Sequence, residues 1–161
     1  MTHRRYSVVV IVCSLLFVTG LSAQTLQVID AEGKSTTLTA AQISSLPRVT
    51  VNTVEHDAPA KFEGVSLASL LAIAGIQMGD KLRGTRMSEA LLVEATDGYK
   101  VVFALAELDP AFATREMILA DKRDGKQLDS KEGPLRVAAP GDKRPARWIR
   151  QVQSLKIIVV K

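Results

Sequence analysis

The sequence contains few of the residues that bind metals or stack on nucleic-acid bases. Its 161 residues include one cysteine, two histidines and only 4% aromatic residues. One cysteine excludes an internal disulfide, a zinc cluster with several thiolates and an iron–sulfur site, because each needs several cysteines in the chain. The scarcity of aromatic residues argues against nucleic acid as a partner, since such binders combine basic patches with stacking side chains.

The sequence also lacks the short motifs of several large enzyme classes. It has no glycine-rich phosphate loop, no nucleophile elbow and no H-E-x-x-H pattern, which leaves nucleotide, hydrolase and metalloprotease functions without a basis in its residues. His56 lies between Glu55 and Asp57, but neighbours in a strand point to opposite faces and do not form a metal site. An acid–base enzyme using Glu55, Asp57 or Glu132 remains an alternative, although isolated carboxylates are usually solvated.

The N-terminal segment has the pattern of a secretory signal peptide. Two arginines precede an apolar stretch at residues 8–18, and small residues follow as far as Ala23. The apolar stretch is shorter than the roughly 20 residues that span a bilayer, so we expect cleavage after Ala23, no permanent membrane span and a periplasmic or secreted protein. An uncleaved N-terminal anchor is the alternative. Cleavage of residues 1–23 removes Cys13 and leaves no cysteine.

The charges are unevenly distributed along the remaining chain, residues 24–161, which we expect to form one domain. The segment 24–120 has a net charge of −4, whereas 121–161 has a net charge of +6. A basic C-terminal third favours a small anionic ligand or a periplasmic protein partner.

Local patterns predict an α+β fold dominated by strands, with short helices. Thr39 and Ser66 are placed to cap two helices, and Asp97-Gly98 and Asp124-Gly125 predict hairpin turns. The apolar run at 152–160 predicts a strand buried on both faces. The other predicted strands are 26–30, 35–38, 48–54, 91–95, 100–103, 117–120, 126–128 and 135–139.

Four segments carry a resemblance to one family. Phe62 to Gly75 resembles the motif G-V-x-L-x-x-L-L-x-x-A-G, and the other three segments resemble the motifs DGY, LLA…NGxxL and G-x-P-x-R-x-V-x-P-G…x-K-W-V at 95–99, 118–128 and 133–149. The sequence thus resembles the oxidoreductase molybdopterin-binding domain, the sulfite oxidase fold. The resemblance implies a mixed, barrel-like β-sheet structure and a stand-alone cofactor domain.

The resemblance also implies a molybdenum ligand that this chain does not supply. In the family, a cysteine before the G-V-x-L helix ligates the metal through its soft thiolate. The corresponding segment, 49–57, contains threonine and asparagine but no cysteine. Glu132 stands where members of the family often have histidine, and a carboxylate repels a cofactor phosphate. Both departures argue against family-type molybdenum catalysis, and we assign no catalytic or metal-binding residue.

The residues that the resemblance implies for cofactor binding lie in the basic C-terminal third. Arg136 matches an arginine of the family that binds an anion, but a salt bridge to a nearby carboxylate is an equal alternative. For the basic cluster of Lys143, Arg144, Arg147 and Arg150, a solvated loop face is favoured over a ligand site, and for Trp148 a role as a core anchor is favoured. The full set of candidates is Arg136, Gly141, Lys143, Arg144, Arg147 and Trp148.

Two functions from different classes fit these observations. The first is an exported component of an oxidoreductase that binds molybdopterin, with the metal held by the cofactor itself. The second is a non-enzymatic periplasmic module that uses the same fold to bind a small anionic ligand or a protein partner.

Overall fold

The structure is a computed structural model that describes residues 25–55 and 57–160. The predicted signal peptide, Cys13 and His56 lie outside the described residues. Among the helices of the described part, none combines the length and the apolar character needed to cross a membrane.

Ten strands and three short helices form the described chain. The strands are β1 (Thr25–Ile29), β2 (Ser35–Thr39), β3 (Arg48–Glu55), β4 (Ala58–Ser66), β5 (Glu89–Ala95), β6 (Lys100–Ala104), β7 (Ile118–Arg123), β8 (Lys126–Gln127), β9 (Arg136–Ala138) and β10 (Val152–Val159). The helices are α1 (Ala40–Ser44), α2 (Leu67–Ile73) and α3 (Leu105–Leu108), and 3-10 turns span Gly79–Lys81, Gly84–Ser88 and Pro145–Arg147.

The strands form two sheets. The first has the order β2-β1-β10-β5-β6, in which only β1 and β10 run parallel. The second has the order β3-β4-β7-β8, and β9 also pairs with β7. Apolar side chains from both sheets and from α2 belong to one buried cluster. This arrangement confirms the α+β class with mixed sheets and short helices.

Local signals placed several elements correctly. Thr39 caps α1 in a capping box with Gln42. The turns at Asp97-Gly98 and Asp124-Gly125 join β5 to β6 and β7 to β8. Ser66 occupies the N-cap position of α2, but its side chain makes no capping hydrogen bond.

Two predictions about strands were wrong or incomplete. The final strand was predicted to be buried on both faces, yet β10 alternates between buried and exposed residues, with Gln153 and Lys156 on the open face. Strand β4 was not predicted at all. It lies between β3 and β7 and contains Gly64, where a Cβ atom would overlap the backbone of Leu119. Glycine at this motif position therefore permits β4 to lie close to β7.

Candidate functional site

The candidate site surrounds the segment that joins β9 to β10, which contains the 3-10 turn Pro145–Arg147. Three cavities of about 310, 320 and 410 Å³ share Pro145 and Trp148 in their linings. The 310 Å³ cavity contains most of the charged side chains and is called the charged cleft below. Its lining consists of Glu55, Arg123, Glu132, Arg136, Pro145, Ala146, Trp148 and Arg150.

Four side chains of the charged cleft form a closed ring of ion pairs. Arg136 Nη2 donates a hydrogen bond to Glu55 Oε1 at 2.7 Å. Arg123 Nη1 lies 3.0 Å from Glu55 Oε2 and donates to Glu132 Oε1 at 2.8 Å. Glu132 Oε2 closes the ring 3.1 Å from Arg136 Nη1. These four residues, the inner charge ring, carry two positive and two negative charges.

Three strands and one loop place these groups: Arg136 begins β9, and Glu132 lies in the loop before it. Glu55 ends β3 and Arg123 ends β7, two strands that flank β4. Phe62 of β4 lies beneath both guanidinium groups, with its ring centre 4.7 Å from Arg136 Cζ and 5.4 Å from Arg123 Cζ. The aromatic face adds a cation–π attraction for both arginines.

Burial makes the pairing within the inner charge ring important for stability. The side chains of Arg136 and Glu55 are only 2% and 4% exposed, and an unpaired charge at such depth is costly. The pairing is not complete, however. Arg136 Nε and Nη1 and Glu55 Oε2 are buried and make no hydrogen bond within the described structure. Arg136 Nη1 and Glu55 Oε2 lie within ion-pair distance of Glu132 and Arg123, but the geometry of these contacts is not that of a hydrogen bond.

Trp148 is part of the core beside the charged cleft. It is 4% exposed, and its indole Nε1 donates to the carbonyl oxygen of Ala139 at 2.9 Å. Its ring meets Phe62 edge to face, with the centres 5.7 Å apart. The side chain thus anchors the loop to the sheet, while its remaining edge borders all three cavities.

Arg147 belongs to a second ring of ion pairs, the outer charge ring. Its guanidinium binds Asp142 in a bidentate manner, at 2.9 and 2.8 Å, and donates to Glu107 Oε1 at 3.0 Å. Arg115 binds the same two carboxylates from the other side. The hydrogen bond from Arg147 lowers the pKa of Asp142, against the opposing effect of burial. The same bond raises the pKa of Arg147.

Four cations in this region, three of which line the cavities, are exposed and form no ion pair with any other described residue. They are called the rim cations below and comprise Lys131, Lys143, Arg144 and Arg150. Arg150 borders both the charged cleft and the 320 Å³ cavity, which Lys131 also lines. Lys143 and Gly141 line the 410 Å³ cavity. These side chains leave a positive edge around an otherwise charge-balanced cleft.

The structure therefore places the residues selected from the sequence in different surroundings. Arg136 lies in the inner charge ring, Arg147 lies in the outer ring, and Trp148 lies in the core. Gly141 forms a turn with a φ of +94° next to Arg115. Lys143 and Arg144 are exposed at the loop. Within the basic cluster, Arg147 is paired with carboxylates. Lys143, Arg144 and Arg150 have no carboxylate partner among the described residues.

Sequence reasoning did not single out Arg123, Arg115 or Glu107, and it considered Glu55 only as an acid–base group. A signal for Glu55 was present. Alternate residues of β3 point inward, and Glu55 continues the inward series that contains Val51. A carboxylate in that register indicates a buried charge that needs a partner. Among the described residues, no group of three or more potential ligands is arranged to hold a metal ion.

Comparison with known families identifies the class of protein that this fold defines. The family model for the oxidoreductase molybdopterin binding domain matches residues 19–159, and the chain belongs to this family. The fold is also similar to that in the crystal structure of the sulfane dehydrogenase SoxCD from Paracoccus pantotrophus, with a TM-score of 0.64 and 19% identity. The match covers 83% of this chain and 38% of that chain. No curated protein matches the sequence.

Proposed function

We propose that this protein is an exported binding module that keeps the molybdopterin-binding-domain scaffold but does not perform family-type molybdenum catalysis. The observation that carries the proposal is the pairing of Arg136 with Glu55. The guanidinium that the resemblance assigns to an anion is buried and bound to a carboxylate of the same chain. Export rests on the signal-peptide pattern of residues 1–23.

The available donor atoms do not fit the molybdenum group of the family. The segment before α2 offers hydroxyl and amide oxygens from Thr50, Asn52 and Thr53 where the family uses a thiolate. A metal that prefers soft thiolate ligands is bound poorly by neutral oxygen atoms. Without the sulfur ligand, the chain lacks its expected covalent hold on the metal.

The charges of the cleft do not fit a phosphate-bearing pterin either. Glu55 and Glu132 both line the charged cleft, and they balance the charges of Arg123 and Arg136. A second anion entering this space would meet two carboxylates and would have to displace existing ion pairs. Both mismatches favour a binding role over cofactor chemistry.

The rim cations are the groups that remain suited to an anionic ligand. Lys143, Arg144 and Arg150 are exposed, so their ammonium and guanidinium groups can bind phosphate or carboxylate without losing an ion pair to another described residue. Arg150 stands at the entrance of two cavities of about 310 and 320 Å³, a size that suits a small molecule. The ligand class is therefore a small anion held at the edge of the cleft.

The first experiment tests whether a cofactor is present. The protein, purified after export from a host that makes molybdopterin, is analysed for molybdenum by elemental analysis and for pterin by fluorescence after acid release. We expect neither above background. Stoichiometric molybdenum or pterin would overturn the proposal and favour the hypothesis of an oxidoreductase component.

The second experiment tests the rim cations with pyrophosphate as the probe, measured by calorimetry. We expect the triple variant Lys143→Ala, Arg144→Ala, Arg150→Ala to bind pyrophosphate at least tenfold more weakly than the unmodified protein. The matched control replaces three exposed cations on other loops, Lys34, Lys81 and Arg83, and should retain the affinity. Equal losses in both variants would show that net charge, and not the rim, determines binding.

A role as an oxidoreductase component is the second candidate. It is supported by the family match, which covers residues 19–159. In that case the cofactor would hold the metal without a protein thiolate, and the chain would contribute only cations and shape. The cofactor analysis separates the two candidates.

A further inference from the structure

In the inner charge ring, the Glu55 carboxylate lies between two guanidinium groups. Glu55 Oε1 accepts a hydrogen bond from Arg136, and Oε2 lies 3.0 Å from Arg123 Nη1. A carboxylate held between two guanidinium groups makes the contacts that a small oxyanion would make. Glu55 reaches this position from the end of β3, 81 residues away from Arg136 in sequence.

We infer that Glu55 is a built-in anion, which fills an oxyanion-binding position formed by Arg136 and Arg123 and keeps external anions out. The position binds a small oxyanion such as sulfate when the Glu55 carboxylate is removed. This inference concerns the inner charge ring and does not depend on what the rim cations bind.

Three features support an anion position and not merely a surface ion pair. Arg136 is 2% exposed, so its charge requires a counter-ion inside the protein. Its Nε and Nη1 atoms are buried without hydrogen bonds, which leaves donors for a further oxygen. The adjoining cleft of about 310 Å³ is lined by both guanidinium groups and gives access to a small solute.

Glu132 alone does not replace Glu55 in this role. It accepts no hydrogen bond from Arg136 Nη2, which donates to Glu55, and its Oε2 atom lies 3.1 Å from Nη1 without a hydrogen bond. Glu132 is also more exposed than Glu55, at 19% against 4%. Removal of the Glu55 carboxylate therefore leaves two guanidinium groups that share one partly solvated carboxylate, a net positive site.

The test compares Glu55→Ala and the isosteric Glu55→Gln with the unmodified protein. Thermal unfolding is followed in sodium sulfate and in sodium chloride of equal ionic strength. We expect both variants to melt lower in chloride and to recover in sulfate. At about ten times its dissociation constant, sulfate should raise the melting temperature by about 4 °C more than chloride does. The unmodified protein sets the baseline, because sulfate stabilises folded proteins in general and the rim cations also bind anions. The rise of about 4 °C is therefore expected beyond this baseline, in the Glu55 variants alone.

Two further variants locate the effect. Glu94→Ala removes one carboxylate from β5, in the other sheet, and should gain no sulfate response. Glu55→Ala combined with Arg136→Met should lose the response that Glu55→Ala gains. Glu55→Ala in the background of the rim triple variant should keep it, which separates this site from the rim.

The inference is overturned if sulfate and chloride act alike on both Glu55 variants, or if the sulfate response survives Arg136→Met. If neither Glu55 variant folds in chloride, refolding in sulfate supports the inference and failure in both salts overturns it. Loss of pyrophosphate binding at the rim has no bearing on any of these outcomes.

Discussion

At the scale of single residues, the burial and pairing of Arg136 determine which ligands the charged cleft can accept. Its guanidinium is as buried as the apolar core, and it rests on the face of Phe62. A charge in this environment is stable only with its partners, so its effect on stability is conditional. Removal of Glu55 or Arg136 alone leaves the other charge buried and only partly compensated. Removal of both takes the whole pair out of the interior.

A double-mutant cycle between Glu55 and Arg136 measures this dependence. We expect Glu55→Met and Arg136→Met each to lower the free energy of unfolding by about 3 kcal/mol, because each leaves a buried charge without its hydrogen-bonded partner and with one weaker ion pair. The double variant should lose much less than the sum, since Arg123 and Glu132 still pair at 2.8 Å. Urea denaturation provides the three differences.

The control cycle uses Lys61 and Glu63, an ion pair of 2.9 Å on β4 whose lysine is 49% exposed. Its coupling should be below about 1 kcal/mol. Additive losses at Glu55 and Arg136, with no coupling beyond the control, would contradict the conditional role of the inner charge ring.

At the scale of elements, the segment between β9 and β10 is held in place by contacts of Arg147, Tyr99 and Trp148. Arg147 binds Asp142 and Glu107, Tyr99 donates its hydroxyl hydrogen to the Ala146 carbonyl oxygen at 3.0 Å, and Trp148 is anchored below. Arg147, a cation that suggests a ligand site in the sequence, thus serves to fix the loop. The loop's shape comes from pairs made inside the protein.

The outer charge ring should make this loop sensitive to acid. The hydrogen bond from Arg147 lowers the pKa of Asp142 in the folded protein below the unfolded value of about 3.9. Its contribution to stability is therefore fully present above that unfolded value, and it is lost as the pH falls through the folded pKa.

We expect Asp142→Asn to destabilise the protein clearly at pH 7 and less at pH 3, because the unmodified protein begins to lose the same contribution below the unfolded pKa. Chemical denaturation at the two pH values measures the difference. Asp80→Asn, at an exposed carboxylate in another turn, corrects for the loss of one charge. A destabilisation by Asp142→Asn that is equal at both pH values would show that the ionised pair is not the cause.

Local chemistry explains which elements were predictable. The Thr39 cap and the turn at Asp124-Gly125 depend on residues within a few positions of one another, and both were predicted. Strand β4 begins with Ala-Pro-Ala-Lys and contains Gly64, a weak strand pattern. Its conformation depends on hydrogen bonds to β3 and β7, which lie outside any local window.

The same distinction applies to the candidate site. The basic residues and the missing thiolate were visible in the sequence, and a core position was favoured for Trp148, which is buried in the structure. For Arg136, an anion site and a salt bridge remained equal alternatives. The partners of Arg136 and Arg147 are brought together across as many as 81 positions. No residue spacing indicates such a pairing before the sheets are known.

At the scale of the whole molecule, charge balance and packing favour a domain that is stable without a cofactor. Both charge rings contain two cations and two carboxylates, so the chain supplies its own counter-charges around the cleft. The apolar residues of both sheets form one cluster, which favours a single cooperative unit. In a member that depended on its cofactor for charge balance, the region around the cleft would be the least stable part of the cofactor-free protein.

Unfolding followed at the cleft should therefore coincide with unfolding of the sheets. Trp148 is the only tryptophan, and it lines the cleft while packed in the core, so its fluorescence reports this region. We expect its denaturation midpoint to equal the midpoint from far-ultraviolet circular dichroism, as two-state behaviour requires. In Glu55→Ala, Arg136 keeps only its contact with Glu132, so the fluorescence midpoint should fall to a lower denaturant concentration than the circular dichroism midpoint. An earlier fluorescence transition in the unmodified protein would mean that the inner charge ring does not complete the site and that a ligand is missing from it.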